Sequence, residues 1–380
     1  MKNIFFIRHQ NDFEFMLPLI MCETKSLIVI YGDLNQESKN KLIANKLMFI
    51  DIYSRNSFIY LIYRLLNKIT LGSLNKKITT TYEDYLLFNI DRNIKKNIKK
   101  IQLTSCSNVI FDHTVSKASS LLVSFIKNCR VKANLDLQII SIPHGVGCYL
   151  NNMVDFSDVA PSYLSDYDIY DKIICNDMQH FNHFLKSGIH RNKLIIIGNL
   201  RYTKTWVDSI VKDTFTKTKN NTSTNKNLLI VHTKFIGNIN SQEVKRCLRI
   251  LNNFKRFNIK IKSHPRGGLK EALNLAKPFE KIKVVSDNIL THIAWCDYVI
   301  FFGSSVAYDA FILDKPVVFP SYITSNILSD EILNGVISLG TPDAFYDFFN
   351  DIANGNIYKN DYKYPDNYQE VMKSWQKVLN

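Results

Sequence analysis

The sequence predicts an α/β protein made of two successive, doubly wound parallel sheets. Two observations carry this. Short, continuous, β-branched apolar runs recur along the 380 residues, separated by segments of helical length. The alternation breaks once, in the polar and aperiodic stretch TFTKTKNNTSTNKN, Thr214 to Asn227, and then restarts. Runs that are apolar at every position are strands buried on both faces, as in a parallel sheet covered by helices.

In chain order the first set of expected strands is 3–8, 26–32, 46–52, 107–112, 137–143, 171–176 and 194–199, with helices such as 115–129 and 178–187 between them. The second set is 227–233, 258–263, 281–286, 297–302, 316–320 and 335–339. Helices are expected there at 241–256, 268–276, 288–295, 304–313, 342–353 and 367–379. Two such halves read as Rossmann-like domains facing each other across a cleft. The expected boundaries are an N-terminal domain 1–213, a linker 214–227, a C-terminal domain 228–365 and a closing helix 366–380 that packs back on the N-terminal domain.

Apolar residues make up 46% and charged residues 22%, a balance that buries cores and excludes wholesale disorder. The net charge of +14 favours anionic partners, although the abundance of Lys, Asn and Ile points equally to compositional bias. Clustered aromatic–basic alternation and familiar binding modules are absent, so nucleic acid is not an expected partner. Seven scattered cysteines without a CxxC read as reduced thiols of a cytoplasmic protein. The N-terminal MKNIFFIRHQND has too short an apolar run for a signal peptide. The apolar FIYLIYRLLNKI, Phe58 to Ile69, is too short to span a bilayer and carries Arg64 and Lys68. With the basic run Arg92 to Lys100 it reads either as core helix and solvated face, or as a peripheral contact with the inner face of an anionic membrane.

In open parallel sheets ligands bind beyond the carboxyl ends of strands, so the residues just after each strand are the candidates for chemistry. His9 and Asp12 follow the first strand; Asp112 ends the strand 107–112 and His113 follows it. His144, Gly145 and Gly147 follow 137–143, and His232 follows the strand near 227–231. An imidazole at His144, beside glycines that bare the backbone, suits a general base on an acceptor hydroxyl. In KIKSHPRGGLKE, Lys262, His264 and Arg266 gather positive charge where Gly267 and Gly268 expose amides at a helix start, a phosphate-binding chemistry. In FFGSSVAYDAFILDKPVVFP, Ser304 and Ser305 open a helix behind Gly303; one serine is explained as an N-cap and the other as a phosphate contact. Asp309, one turn in, is placed to reach a ribose or base, or else faces solvent.

These residues resemble a family. SHP after a strand, followed by GSSVAYDAFILDKPVVFP, resembles the C-terminal half of GT-B nucleotide-sugar transferases, in particular the CDP-glycerol glycerophosphotransferases and the Kdo transferases of capsule and lipopolysaccharide assembly. The resemblance covers roughly 225–325 and, earlier, His144-Gly145; Asp314 stands where glycine is usual. It implies a metal-independent glycosyltransferase without cofactor. The donor would be a cytidine nucleotide (CMP- or CDP-linked), its phosphate held by His264, Arg266, Ser304 and Ser305. The acceptor would be a glycan or lipid-linked molecule, with His144 or Asp112 as the catalytic group and His9, Asp12 and Gly145 on the acceptor side. Non-hydrolysing UDP-GlcNAc 2-epimerases share the architecture and are the alternative, as is a UDP-sugar transferase of the same fold. An epimerase would need acidic groups at the reaction site and would turn over without an acceptor.

Overall fold

The computed structural model describes residues 3–23, 25–53, 73–101, 103–112, 116–143, 162–215, 225–232, 239–264, 268–325, 327–359, 362 and 367–379. They form two compact units. The first holds the described residues within 1–145, 159–201 and 370–380, the second those within 202–369.

The strands of the first unit are β1 (Asn3–Ile7), β2 (Ser26–Ile30), β3 (Phe49–Asp51), β4 (Asn108–Asp112), β5 (Gln138–Ile142), β6 (Lys172–Cys175) and β7 (Leu194–Ile196). They lie in the order β3-β2-β1-β4-β5-β6-β7, and every pairing is parallel. Each residue of β1, β2 and β4 is buried, so the continuous apolar runs mark strands covered on both faces. Ile4, Phe6, Leu27, Val29, Val109 and Phe111 pack on one face with the helix Lys117–Lys132, which Ser116 caps. At the amino ends, Asn108 donates from Nδ2 to Asn3 Oδ1 and to the Leu379 carbonyl, both at 2.9 Å. The helix Tyr368–Leu379 thereby returns to this unit, burying Val371, Trp375 and Leu379, with Trp375 Nε1 donating to the Gly198 carbonyl at 3.2 Å.

The second unit contains β8 (Lys226–Val231), β9 (Phe257–Lys262), β10 (Ile282–Val285), β11 (Tyr298–Phe301), β12 (Val317–Pro320) and β13 (Val336–Leu339), ordered β10-β9-β8-β11-β12-β13 and again all parallel. Its core gathers Leu228, Ile230, Ile259, Ile261 and Ile300 with Leu248, Leu251, Phe345 and Phe349 from the helices Ser241–Asn253 and Pro342–Ala353. Each expected strand is present, with ends shifted by a residue or a few.

Three expectations need revision. The helix Lys204–Phe215 falls in the N-terminal domain of the sequence reading, 1–213, yet it packs on the helices Ile289–Trp295 and Val306–Ile312 of the second unit. Tyr202 stacks near Tyr308, with ring centroids 5.3 Å apart, and Lys204 Nζ donates to the Ile312 carbonyl at 3.3 Å. An apolar face fixes that a helix is covered, not by which sheet. Secondly, strand β8 begins at Lys226, inside the expected linker 214–227, of which residues 216–224 lie outside the described residues. Thirdly, the helix Val306–Ile312 is buried from Ala307 to Ile312, because three helices (Lys204–Phe215, Ile289–Trp295 and Asp330–Gly335) surround it. Asp309 is 1% exposed and so is not a solvent-facing residue.

Arg92, Lys95 and Lys96 of the basic run are exposed on the helix Ser73–Ile101, while Phe58 to Ile69 lies outside the described residues. No helix among the described residues is long and apolar enough to cross a membrane.

Candidate functional site

In both sheets the strand order reverses direction beside the first strand, the topological switch point at which open α/β sheets bind ligands. In the first unit that point lies between β1 and β4, in the second between β8 and β11.

At the first switch point, Arg8 follows β1 and Asp112 ends β4. Arg8 Nη2 lies 3.2 Å from Asp112 Oδ2, and the carboxylate is fully buried. Tyr31, just past β2, donates its hydroxyl to Asp112 Oδ1 at 2.8 Å. Its ring lies edge-on to Phe6 and Phe111, which are themselves stacked with centroids 4.6 Å apart. The next residue must be small: a Cβ on Gly32 would lie 2.3 Å from the Arg8 carbonyl oxygen and 2.5 Å from Arg8 Cγ. The Arg8 side chain is 17% exposed, and its buried Nε has no hydrogen-bond partner among the described residues.

Asp12 adds a second carboxyl group. His9 stands at the N-cap of the helix Gln10–Cys22, and Asp12 Oδ2 accepts the His9 amide at 2.9 Å. Burial, and then the charge of Asp112, push the Asp12 carboxyl up to about 7, against the opposing pull of Arg8 and the His9 amide. Burial likewise raises Tyr31 well above the usual phenol range, so its hydroxyl stays a donor. The sequence-predicted His9, Asp12 and Asp112 thus come together in one unit. His144 and Gly145 lie outside the described residues.

At the second switch point, His232 follows β8 and Gly303-Ser304-Ser305 follow β11, the adjacent strand. His232 is 2% exposed, its Nε2 lies 3.8 Å from Glu271 Oε2, and burial holds its pKa down to about 4. It is therefore a neutral imidazole at pH 7. Gly303 has φ +91°, a conformation that favours glycine. The Ser304 hydroxyl accepts weakly from the Val306 amide at 3.4 Å, whereas Ser305, the N-cap by position, makes no side-chain capping bond. His264 and Gly268 pack closely: the Gly268 amide donates to the His264 carbonyl at 3.1 Å, and a Cβ on Gly268 would lie 2.7 Å from His264 Cβ. Arg266 lies outside the described residues.

The SHP and GSS segments follow β9 and β11; β8 with His232 stands between these strands, so the two segments start about 10 Å apart. Lys262 is buried, and its ammonium donates to the carbonyls of Ser263 and Ser286 at 3.1 and 3.3 Å. Sequence reading gave no role to Arg8, Tyr31 or His232. The first two are found only through pairing between distant strands; the signal for His232 was its place at a strand end.

No family model matches the chain, and no curated protein sequence matches it. Solved structures do. A UDP-GlcNAc 2-epimerase from Neisseria meningitidis, bound to UDP-GlcNAc, aligns over 100% of this chain and 99% of its own at 12% identity, with a TM-score of 0.61. The UDP-N-acetylglucosamine 2-epimerase from Rickettsia bellii aligns over 100% and 95% at 13% identity, TM-score 0.58. Anabaena Alr3699/HepE, in complex with UDP and glucose, aligns over 100% and 98% at 11% identity, TM-score 0.54. The chain therefore has the two-domain α/β fold with parallel sheets seen in these GT-B-like proteins.

Proposed function

We propose that this chain is an enzyme acting on a nucleotide-activated sugar, with uridine rather than cytidine as the base and epimerisation of UDP-GlcNAc as the leading reaction. The observation that carries this reading is the first switch point, where a carboxylate-anchored guanidinium with an unspent donor stands beside a carboxyl group that titrates near neutrality. A guanidinium so held suits an anionic ligand, and a carboxyl with a pKa near working pH suits proton transfer. Epimerisation needs such acidic groups. The uridine assignment draws support from the UDP and UDP-GlcNAc held by structures of the same fold. Phosphate would be met in the second unit by His264 and Ser305, with the neutral His232 nearby as a hydrogen-bond partner.

Sugar transfer is the second reading, because Alr3699/HepE, seen with UDP and with UDP-glucose, shares the fold. Incubation with UDP-GlcNAc alone, followed by proton NMR of the anomeric region, separates the two. The manno isomer forming without acceptor supports epimerisation. UDP released only after a glycan or lipid-linked acceptor is added supports transfer. A thermal-shift panel of UDP, CMP, CDP, GDP and ADP tests the base, and a folded sample that responds to none sinks the nucleotide-sugar reading.

A further inference from the structure

We infer that Tyr31 is a positioning residue of the first unit's site, its hydroxyl fixing the Asp112 carboxylate as the anchor that holds Arg8. The functional meaning of this role rests on the nucleotide-sugar reading above. The two oxygens of Asp112 face different donors: Oδ1 takes the Tyr31 hydroxyl at 2.8 Å and Oδ2 takes Arg8 at 3.2 Å. A carboxylate pinned at both oxygens has one orientation, and so does the guanidinium bound to it.

Tyr31 is suited to the task. It is 1% exposed and wedged against Phe6 and Phe111, which bars the ring from swinging away. The residue after it, Gly32, leaves the space through which Arg8 passes, so two consecutive positions shape both members of the ion pair. The charged and titratable groups facing the pair are Asp12 from the helix Gln10–Cys22, Tyr31 itself, and Tyr170 at the start of the segment leading into β6. Removing the Tyr31 hydroxyl takes away the 2.8 Å donor that orients this buried carboxylate. The carboxylate's hold on Arg8 then loosens.

The test is Tyr31→Phe, with folding checked by near-UV circular dichroism and the Asp12 side-chain carbon followed by NMR through a pH titration. The Asp12 midpoint, about 7 in the parent chain, is expected to move up as the opposing charge of Arg8 loosens. The acid limb of kcat/KM on the nucleotide sugar is expected to move up by about one pH unit. Gly32→Ala displaces Arg8 instead and removes the charge that opposes protonation of Asp12, so its midpoint moves up. Upward shifts in both variants support the inference. A folded Tyr31→Phe with an unmoved Asp12 midpoint overturns it. Should that variant not fold, an unmoved midpoint in Gly32→Ala does so. A parent chain that turns over no nucleotide sugar removes the functional reading, while the titration still decides the role of Tyr31.

Discussion

Arg8 and Asp112 stand 104 residues apart in sequence and meet at 3.2 Å, each at the carboxyl end of its own strand. The pair fixes a guanidinium where the sheet reverses direction. Arg8→Lys keeps the charge but loses the planar fork. It is expected to weaken binding of UDP-GlcNAc about tenfold while changing the unfolding temperature little. Titration calorimetry together with a thermal melt checks both halves.

Asp12 makes stability depend on pH with an identifiable sign. Its carboxyl is raised from 3.8 to about 7, so across that window the folded state binds more protons than the unfolded state. Stability therefore falls as pH rises through the window and levels off above it. Asp12→Asn removes this slope and keeps an acceptor for the His9 amide. Relative to the parent, the variant should gain on the order of a few kcal/mol between pH 4 and pH 8, read by urea unfolding at several pH values. Parallel curves for the two proteins would contradict the shift.

The two serines after Gly303 are expected to separate cleanly. Ser304 offers the weak capping bond to Val306, so Ser304→Ala should cost roughly 0.5 kcal/mol of stability. Ser305 makes no such bond, so Ser305→Ala should leave stability unchanged and weaken UDP binding about tenfold. Reversed effects would exchange the two roles.

Asp314 adopts φ +53°, in the left-handed region that favours glycine. Lys315 beside it donates to the Cys296 carbonyl at 2.7 Å, closing the end of the helix Ile289–Trp295. Asp314→Gly relieves the strained conformation without touching that bond. A gain of about 1 kcal/mol is expected, seen as a rise of a few degrees in melting temperature.

The strands were legible because β1, β2 and β4 are buried on both faces, and that leaves a signal of uninterrupted apolar residues. Site residues at strand ends were legible in kind, since topology dictates where ligands bind. Their partners were not. Nothing local in YGD announces that Tyr31 meets Asp112, because that contact depends on the order β2-β1-β4, which chain order does not state. Nor does chain order state that β8 separates the SHP and GSS segments. The solvent-facing alternative for Asp309 fails for another reason: helical periodicity assumes one covered face, and a two-turn helix enclosed by three others has none to spare.

The return of the helix Tyr368–Leu379 to the first unit has a consequence for biogenesis. On the ribosome, the sheet β1 to β7 is complete once residue 196 has emerged, yet Asn108 and the Gly198 carbonyl await Leu379 and Trp375. The second unit, drawn from 202–369, is made in the interval and has its described partners to hand before that helix exists. The part synthesised first is therefore finished last, and during that delay the surface at Asn108 and Gly198 is the one a chaperone would find uncovered.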